Sequence, residues 1–154
     1  WLGTPDDDNT ADLVTENSRL ENMSTSAILS FTSDLEMNNC LLDNAGDVLV
    51  GLLAGGNYSL NHNTLANYGY GLFKSQPTFY VTDQLELSDG SKISDAVNLI
   101  LNNTIVWGPA NDEVIFENIS ENVRRLYVRH LFLKFSFSYI SINVQVKHFI
   151  LNYI

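Results

Sequence analysis

The chain has little of what most catalytic or metal-binding proteins display. It holds one cysteine, Cys40, so no disulfide can form within it, and the redox compartment stays open. Its three histidines, His62, His130 and His148, form no HExxH, HxH or Cys-paired arrangement, so no zinc site of known spacing is present. No GxSxG elbow and no GxxxxGK[ST] phosphate loop occurs, and Gly69-Tyr70-Gly71 lacks the third glycine of a dinucleotide fingerprint. Carboxylates are plentiful, but no pair is singled out for acid–base work. The expectation is therefore a protein that is not an enzyme and needs no cofactor or metal.

Positive charge is scarce as well. Eight Lys and Arg stand against 18 Asp and Glu, a net charge of -10. Phosphate neutralisation needs clustered cations, so no nucleic-acid partner is expected. The small cluster Arg124, Arg125 and Arg129 reads instead as basic residues facing nearby carboxylates. No apolar run approaches the ~18 residues of a membrane helix, so no membrane insertion is expected. The start at Trp1 rather than Met reads as a processed chain or a piece of a longer one. Asp6 to Asp12 faintly resembles a calcium loop, but the turning glycine and a bidentate Glu are missing, and a solvated acidic loop is the plainer reading.

What remains is a strand-rich pattern. Every acid lies at or before Glu121, and Asn122 to Ile154 carries only basic charges. In this tail Leu131, Leu133, Phe135, Phe137 and Tyr139 alternate with polar residues. The phase then slips, and Ile140, Ile142, Val144 and Val146 take the apolar register, which predicts a bulge or turn near Tyr139. His148 continues that register as a core or interface residue. Ala27 to Phe31 and Asp47 to Ala54 are short apolar runs, the second bracketed by turn residues. Phe79, Val81, Asp83, Leu85 and Leu87 lead into Ser88-Asp89-Gly90-Ser91, where Asp-Gly predicts a tight hairpin turn. Near 94–101 the spacing of Ile93, Val97, Ile100 and Leu101 fits a short helix as well as it fits a strand. Trp107-Gly108-Pro109 breaks the chain, and Val114 to Phe116 predicts another strand. Short strands between Gly, Asn and Asp turns predict an all-β sandwich or barrel.

The organisation expected is a polar lead-in over 1–26, a single β domain over 27–154, and an extra strand-like tail over 141–154. Residues 55–71 are rich in Gly, Asn and Tyr, the composition of an adaptable recognition loop, with Tyr58, Tyr68 and Tyr70 as its anchors. Sequons at Asn22, Asn57, Asn102 and Asn118 are no more than chance supplies, and speak only weakly for secretion.

Three separated segments resemble one family. Trp1-Leu2-Gly3-Thr4-Pro5-Asp6 is similar to the hinge that joins the shaft of an adenovirus fibre to its head, or knob. Phe135-Ser136-Phe137-Ser138-Tyr139-Ile140 resembles the strand that closes such heads, and Phe79 to Ile93 followed by Trp107-Gly108 resembles the central hairpin and the strand after it. The departures are the continuation from Ser141 to Ile154 and the shorter total length. The resemblance implies an antiparallel β-sandwich forming a homotrimer at the virion surface, where it binds a host-cell receptor, protein or glycan. Its receptor loop would fall at Asn38 to Asp47, which adds Asn44 and Asp47 to the candidate residues. Two other readings compete: a secreted filament subunit that donates Ser141 to Ile154 to a neighbour, and a monomeric carbohydrate-binding sandwich that stacks sugars on its tyrosines.

Overall fold

A computed structural model describes residues 11–68, 76–117, 123–133 and 149–152. The described residues are strands and turns without a helix. The first circuit runs through β1 (Leu13–Glu16), β2 (Arg19–Met23) and β3 (Ile28–Phe31). The second runs through β4 (Leu35–Asn38), β5 (Leu41–Ala45) and β6 (Val50–Leu53) and lies directly on the first. Leu13 pairs with Leu35, Arg19 with Leu41 and Ile28 with Val50, each pair parallel and separated by the same length of chain. A third circuit contains β7 (Gly56–Asn61), β8 (Thr64–Ala66) and β9 (Phe79–Thr82). The excursion β10 (Gln84–Glu86) and β11 (Lys92–Ser94) follows, and then a fourth circuit of β12 (Val97–Asn102), β13 (Ile105–Trp107) and β14 (Val114–Glu117). The long β15 (Val123–Leu133) opens the fifth circuit, and β16 (Phe149–Asn152) pairs with it in parallel.

Each of the first four circuits thus adds one strand to each of three faces, and the described residues form a three-faced parallel β-solenoid. Face 1 is β1, β4, β7, β12 and β15. Face 2 is β2, β5, β8 and β13, and face 3 is β3, β6, β9 and β14. Because β15 pairs with β12 over its first half and with β13 near its end, faces 1 and 2 join into one ladder, which with β16 beside β15 has ten strands.

This overturns the antiparallel β-sandwich. The strands are short and alternate in polarity as a sandwich requires, but their partners lie one circuit away in the same direction. Only β10 and β11 pair antiparallel among the described residues. The Asp-Gly turn does sit there: the Leu87 amide donates to the Ser91 carbonyl at 2.8 Å, and Gly90 has φ +82°. The hairpin begins later than its apolar run predicted, because Phe79–Thr82 belongs to face 3. The short helix near 94–101 is also corrected. Val97, Leu99 and Leu101 are buried at alternate positions of β12, so period two prevails, while Ile93 stands exposed on the hairpin. Strands β1 and β2 occupy part of the expected lead-in, and β7 and β8 part of the expected loop 55–71. The predicted strand at Val114 to Phe116 is present as β14. The bulge near Tyr139 lies outside the described residues.

The core is a set of stacked rows running down the solenoid interior. Leu35, Tyr58 and Leu99 form one row, Met37, Leu60 and Leu101 a second, and Leu42, Leu65 and Val106 a third, all buried. On face 3, Val50 and Phe79 stack next to Leu52 and Val81. At ~25 cal/mol per Å2 of buried apolar surface, each such side chain contributes about 1.5–3 kcal/mol.

The corner between faces 1 and 2 shows why the chain turns where it does. Asn17, Asn39, His62 and Asn103 occupy the same corner position in successive circuits, all with φ between 48° and 55°. Asparagine tolerates this left-handed region better than most residues, so it recurs there. The next residues, Cys40, Asn63 and Thr104, tuck beneath the corner and are buried.

Candidate functional site

Two buried asparagines knit neighbouring circuits and place the loops around them. The Asn63 side chain accepts from the Cys40 amide at 2.9 Å and donates to the Met37 carbonyl at 3.0 Å. At the far end of face 2, Asn67 accepts from the Ala45 amide at 2.8 Å and donates to the Asp47 carbonyl at 2.8 Å. Its own amide donates to the Trp107 carbonyl at 2.8 Å. Asn67 is therefore a clamp joining three consecutive circuits, since buried backbone groups at a corner must find partners.

What the clamp holds is the candidate site. Asn44 lies in β5 with φ 55°, partly exposed, and its side chain donates to Asp43 at 3.2 Å. Asp47 follows Gly46 in the corner turn and is exposed; its amide donates to the Thr25 carbonyl at 2.9 Å. Tyr68 follows Asn67 directly and is 54% exposed. Trp107, the last residue of β13 and half-buried, sits one circuit further on. Of the five residues expected to bind, Asn44, Asp47 and Tyr68 thus gather at one corner. Tyr58 does not. It is 2% exposed, part of the core, and its hydroxyl donates to the Gly55 carbonyl. Burial raises its phenol pKa strongly, the charges of Asp34 and Asp95 adding to the shift and a bond to Ser30 opposing it. Tyr70 lies outside the described residues.

Sequence reading missed Trp107 as a site residue because it took Trp107-Gly108-Pro109 as a chain break and Trp107-Gly108 as part of a strand in the fibre-head resemblance. The available signal was the repeated circuit. Leu35 to Cys40, Tyr58 to Asn63 and Leu99 to Thr104 share an apolar residue, a second apolar residue two on, an Asn and then the corner residue. Aligned on that signal, Trp107 falls beside Ala66 on the outer side of face 2.

Behind the corner lies a buried carboxylate. Glu113 is 2% exposed; its Oε2 accepts from the Thr78 hydroxyl at 2.5 Å, and its Oε1 has no partner among the described residues. Gly108 packs against it so closely that a Cβ there would come within 2.5 Å of the carboxylate. Among the described residues no three His, Cys, Asp or Glu side chains are grouped to hold a metal ion, and no helix is long and apolar enough to cross a membrane.

The outer side of face 1 is a second organised surface. The Asp34 amide donates to Asp12 at 2.8 Å, and the Asn57 side chain donates to both Asp34 carboxylate oxygens at 2.8 and 2.9 Å. The Asn98 side chain then donates to Asn57 Oδ1 at 2.6 Å. These bonds form a polar ladder crossing four circuits on the solvent side. No family model, curated protein or solved structure matches this chain.

Proposed function

We infer that the chain is a non-catalytic recognition module, a segment of an attachment or other surface protein, which binds a carbohydrate at the corner that closes face 2. The carrying observation is the gathering of Tyr68 and Trp107 with the amide of Asn44 and the carboxylate of Asp47 around one clamp. Aromatic rings with few rotatable bonds supply apolar area for a sugar face, and neighbouring amide and carboxylate groups meet its hydroxyls. Loops held on a rigid scaffold are where such contacts concentrate. The virion-surface setting belongs to the fibre-head resemblance, and the corner serves host-cell attachment equally well outside a virus. The filament reading has less in its favour, since Phe149–Asn152 pairs with β15 of its own chain.

A glycan array probed with the parent and with Tyr68→Ala, Asn44→Ala and Asp47→Ala variants tests this. Tyr68→Ala should lose about 1–3 kcal/mol of affinity, roughly 5- to 140-fold, with an unchanged circular dichroism spectrum. Binding should survive a chelator. Equal binding by the parent and all three variants would place recognition elsewhere.

A further inference from the structure

Ala66 takes its meaning from the stacking. On the outer side of face 2 it stands in register with Asp43 of the circuit before and with Trp107 of the circuit after. Along the chain, Thr64 lies two residues back in the same strand, and Tyr68 two residues on, at the corner. Strands lie ~4.8 Å apart and alternate residues of a strand ~6.6 Å apart, so these four positions border Ala66 on every side. The smallest side chain of the five is therefore at the centre, among two aromatic rings, a hydroxyl and a carboxylate. Ala66 and Trp107 are partly exposed, and Tyr68 is 54% exposed.

The charge around this position is mostly of one sign. Asp43 is adjacent, Asp47 is exposed in the corner turn, and Glu21 stands one strand beyond Asp43. Arg19, the one cation among the described side chains of face 2, is already held by Glu21 at 2.5 Å and by Asp43 at 3.1 Å. Three carboxylates against one guanidinium leave the surface negative, as the whole chain is at -10. Exposed charges act over about 8 Å at physiological ionic strength, which covers the ~4.8 Å from one strand to the next.

We propose that Ala66 is the floor of a saccharide subsite walled by Trp107 and Tyr68, and that this subsite takes a neutral or amino-bearing sugar and rejects sialylated and uronic-acid glycans. The proposal rests on the carbohydrate reading of the corner and names the class of sugar it accepts. A methyl floor lets a sugar ring lie flat beside the indole, where a longer side chain would lift it away. The Asp43 carboxylate is fixed by Arg19 and by the Asn44 amide at 3.2 Å, and its remaining lone pairs accept from sugar hydroxyls or an ammonium. An acidic sugar brings a like charge to Asp43 and Asp47, and that repulsion is what excludes it.

Titration calorimetry with soluble neutral, amino-bearing, sialylated and uronate oligosaccharides tests it. The parent should hold neutral or amino-bearing glycans about tenfold or more tightly than acidic ones, and Asp47→Asn should narrow that gap. Ala66→Leu, which fills the floor, should weaken binding about tenfold or more, while Ala66→Ser should stay within about threefold of the parent. Residue 66 faces outward, so both variants should keep the parent's circular dichroism spectrum, and Ala66→Val repeats the test if the leucine variant fails to fold. Weaker binding by Tyr68→Ala but not by Ala66→Leu would overturn the floor and leave the corner reading standing. A parent that prefers acidic glycans would overturn the class of sugar alone. A parent that binds none of these glycans, or a Tyr68→Ala variant that binds them equally well, would overturn both.

Discussion

Single polar side chains join neighbouring circuits here alongside the stacked apolar rows. Asn63 satisfies one donor and one acceptor of the circuit beneath it, and both are buried. Asn63→Ala should cost about 1–3 kcal/mol for each group left without a partner, read as a lowered midpoint in urea. Leu60→Ala removes a fully buried side chain from the middle of a row and should cost about 2–5 kcal/mol. Tyrosine ionisation gives a pH test. Tyr58 is raised chiefly by burial, and Tyr80 by burial and then by Glu117, whose carboxylate accepts a hydrogen bond from its hydroxyl. In the unfolded chain both ionise at about pH 10. The folded form therefore keeps protons that the unfolded form loses, so this contribution to stability is full below about pH 10 and falls as pH rises above it. Phenolate absorbance should rise late for these two residues, with alkaline unfolding drawing them up together. Tyr58 also shows a limit of reading by composition. A tyrosine among glycines and asparagines reads as a loop anchor, but its place in the row is set by Leu35 one circuit before it and Leu99 one circuit after it, both remote in sequence.

At the level of elements, alternation was readable and partners were not. Strands β3, β6 and β14 fall where short apolar runs lie, and the β10–β11 turn falls at its Asp-Gly. The direction of pairing was hidden because a short, half-buried strand has the same alternation in a sandwich as in a solenoid. The repeat was hidden because its spacing is constant on all three faces only between the first two circuits. The chain between β8 and β9 and the hairpin after β9 then lengthen the next circuit, so that on face 1 Tyr58 must wait until Leu99 for its partner. Of the corner residues, Tyr68 was picked out by loop composition, and Asn44 and Asp47 by the position of the resemblance's receptor loop, although most of Asn38 to Asp47 is strand and not a loop. Trp107 needed the aligned circuits. The hairpin itself stands off the solenoid. Leu87 to Asp95 are exposed, and the Asp95 amide closes the base onto the Asp83 carbonyl at 3.3 Å. Replacing residues 86–92 with a short Asn-Gly turn should leave the melting temperature within a few degrees of the parent. Gly108→Ala should be far more harmful, because its Cβ would press on the buried Glu113 carboxylate. Differential scanning calorimetry of the two variants checks the contrast.

Across the whole molecule, each circuit contacts chiefly the circuits above and below it, so stability is close to a sum of nearest-neighbour terms. Such an arrangement gives long lateral surfaces: one carries the polar ladder, and one ends in the aromatic corner. Both surfaces depend on parallel stacking in a fixed register. Nuclear Overhauser spectra of an isotope-labelled chain test that stacking most directly. The solenoid predicts backbone contacts linking residues 35–38, 58–61 and 99–102 in one parallel register, with the short Hα–Hα contacts of antiparallel pairing confined, over the described residues, to residues 84–94. Strong Hα–Hα contacts between other described strands, such as residues 79–82 against 97–102, would contradict the solenoid and restore the sandwich.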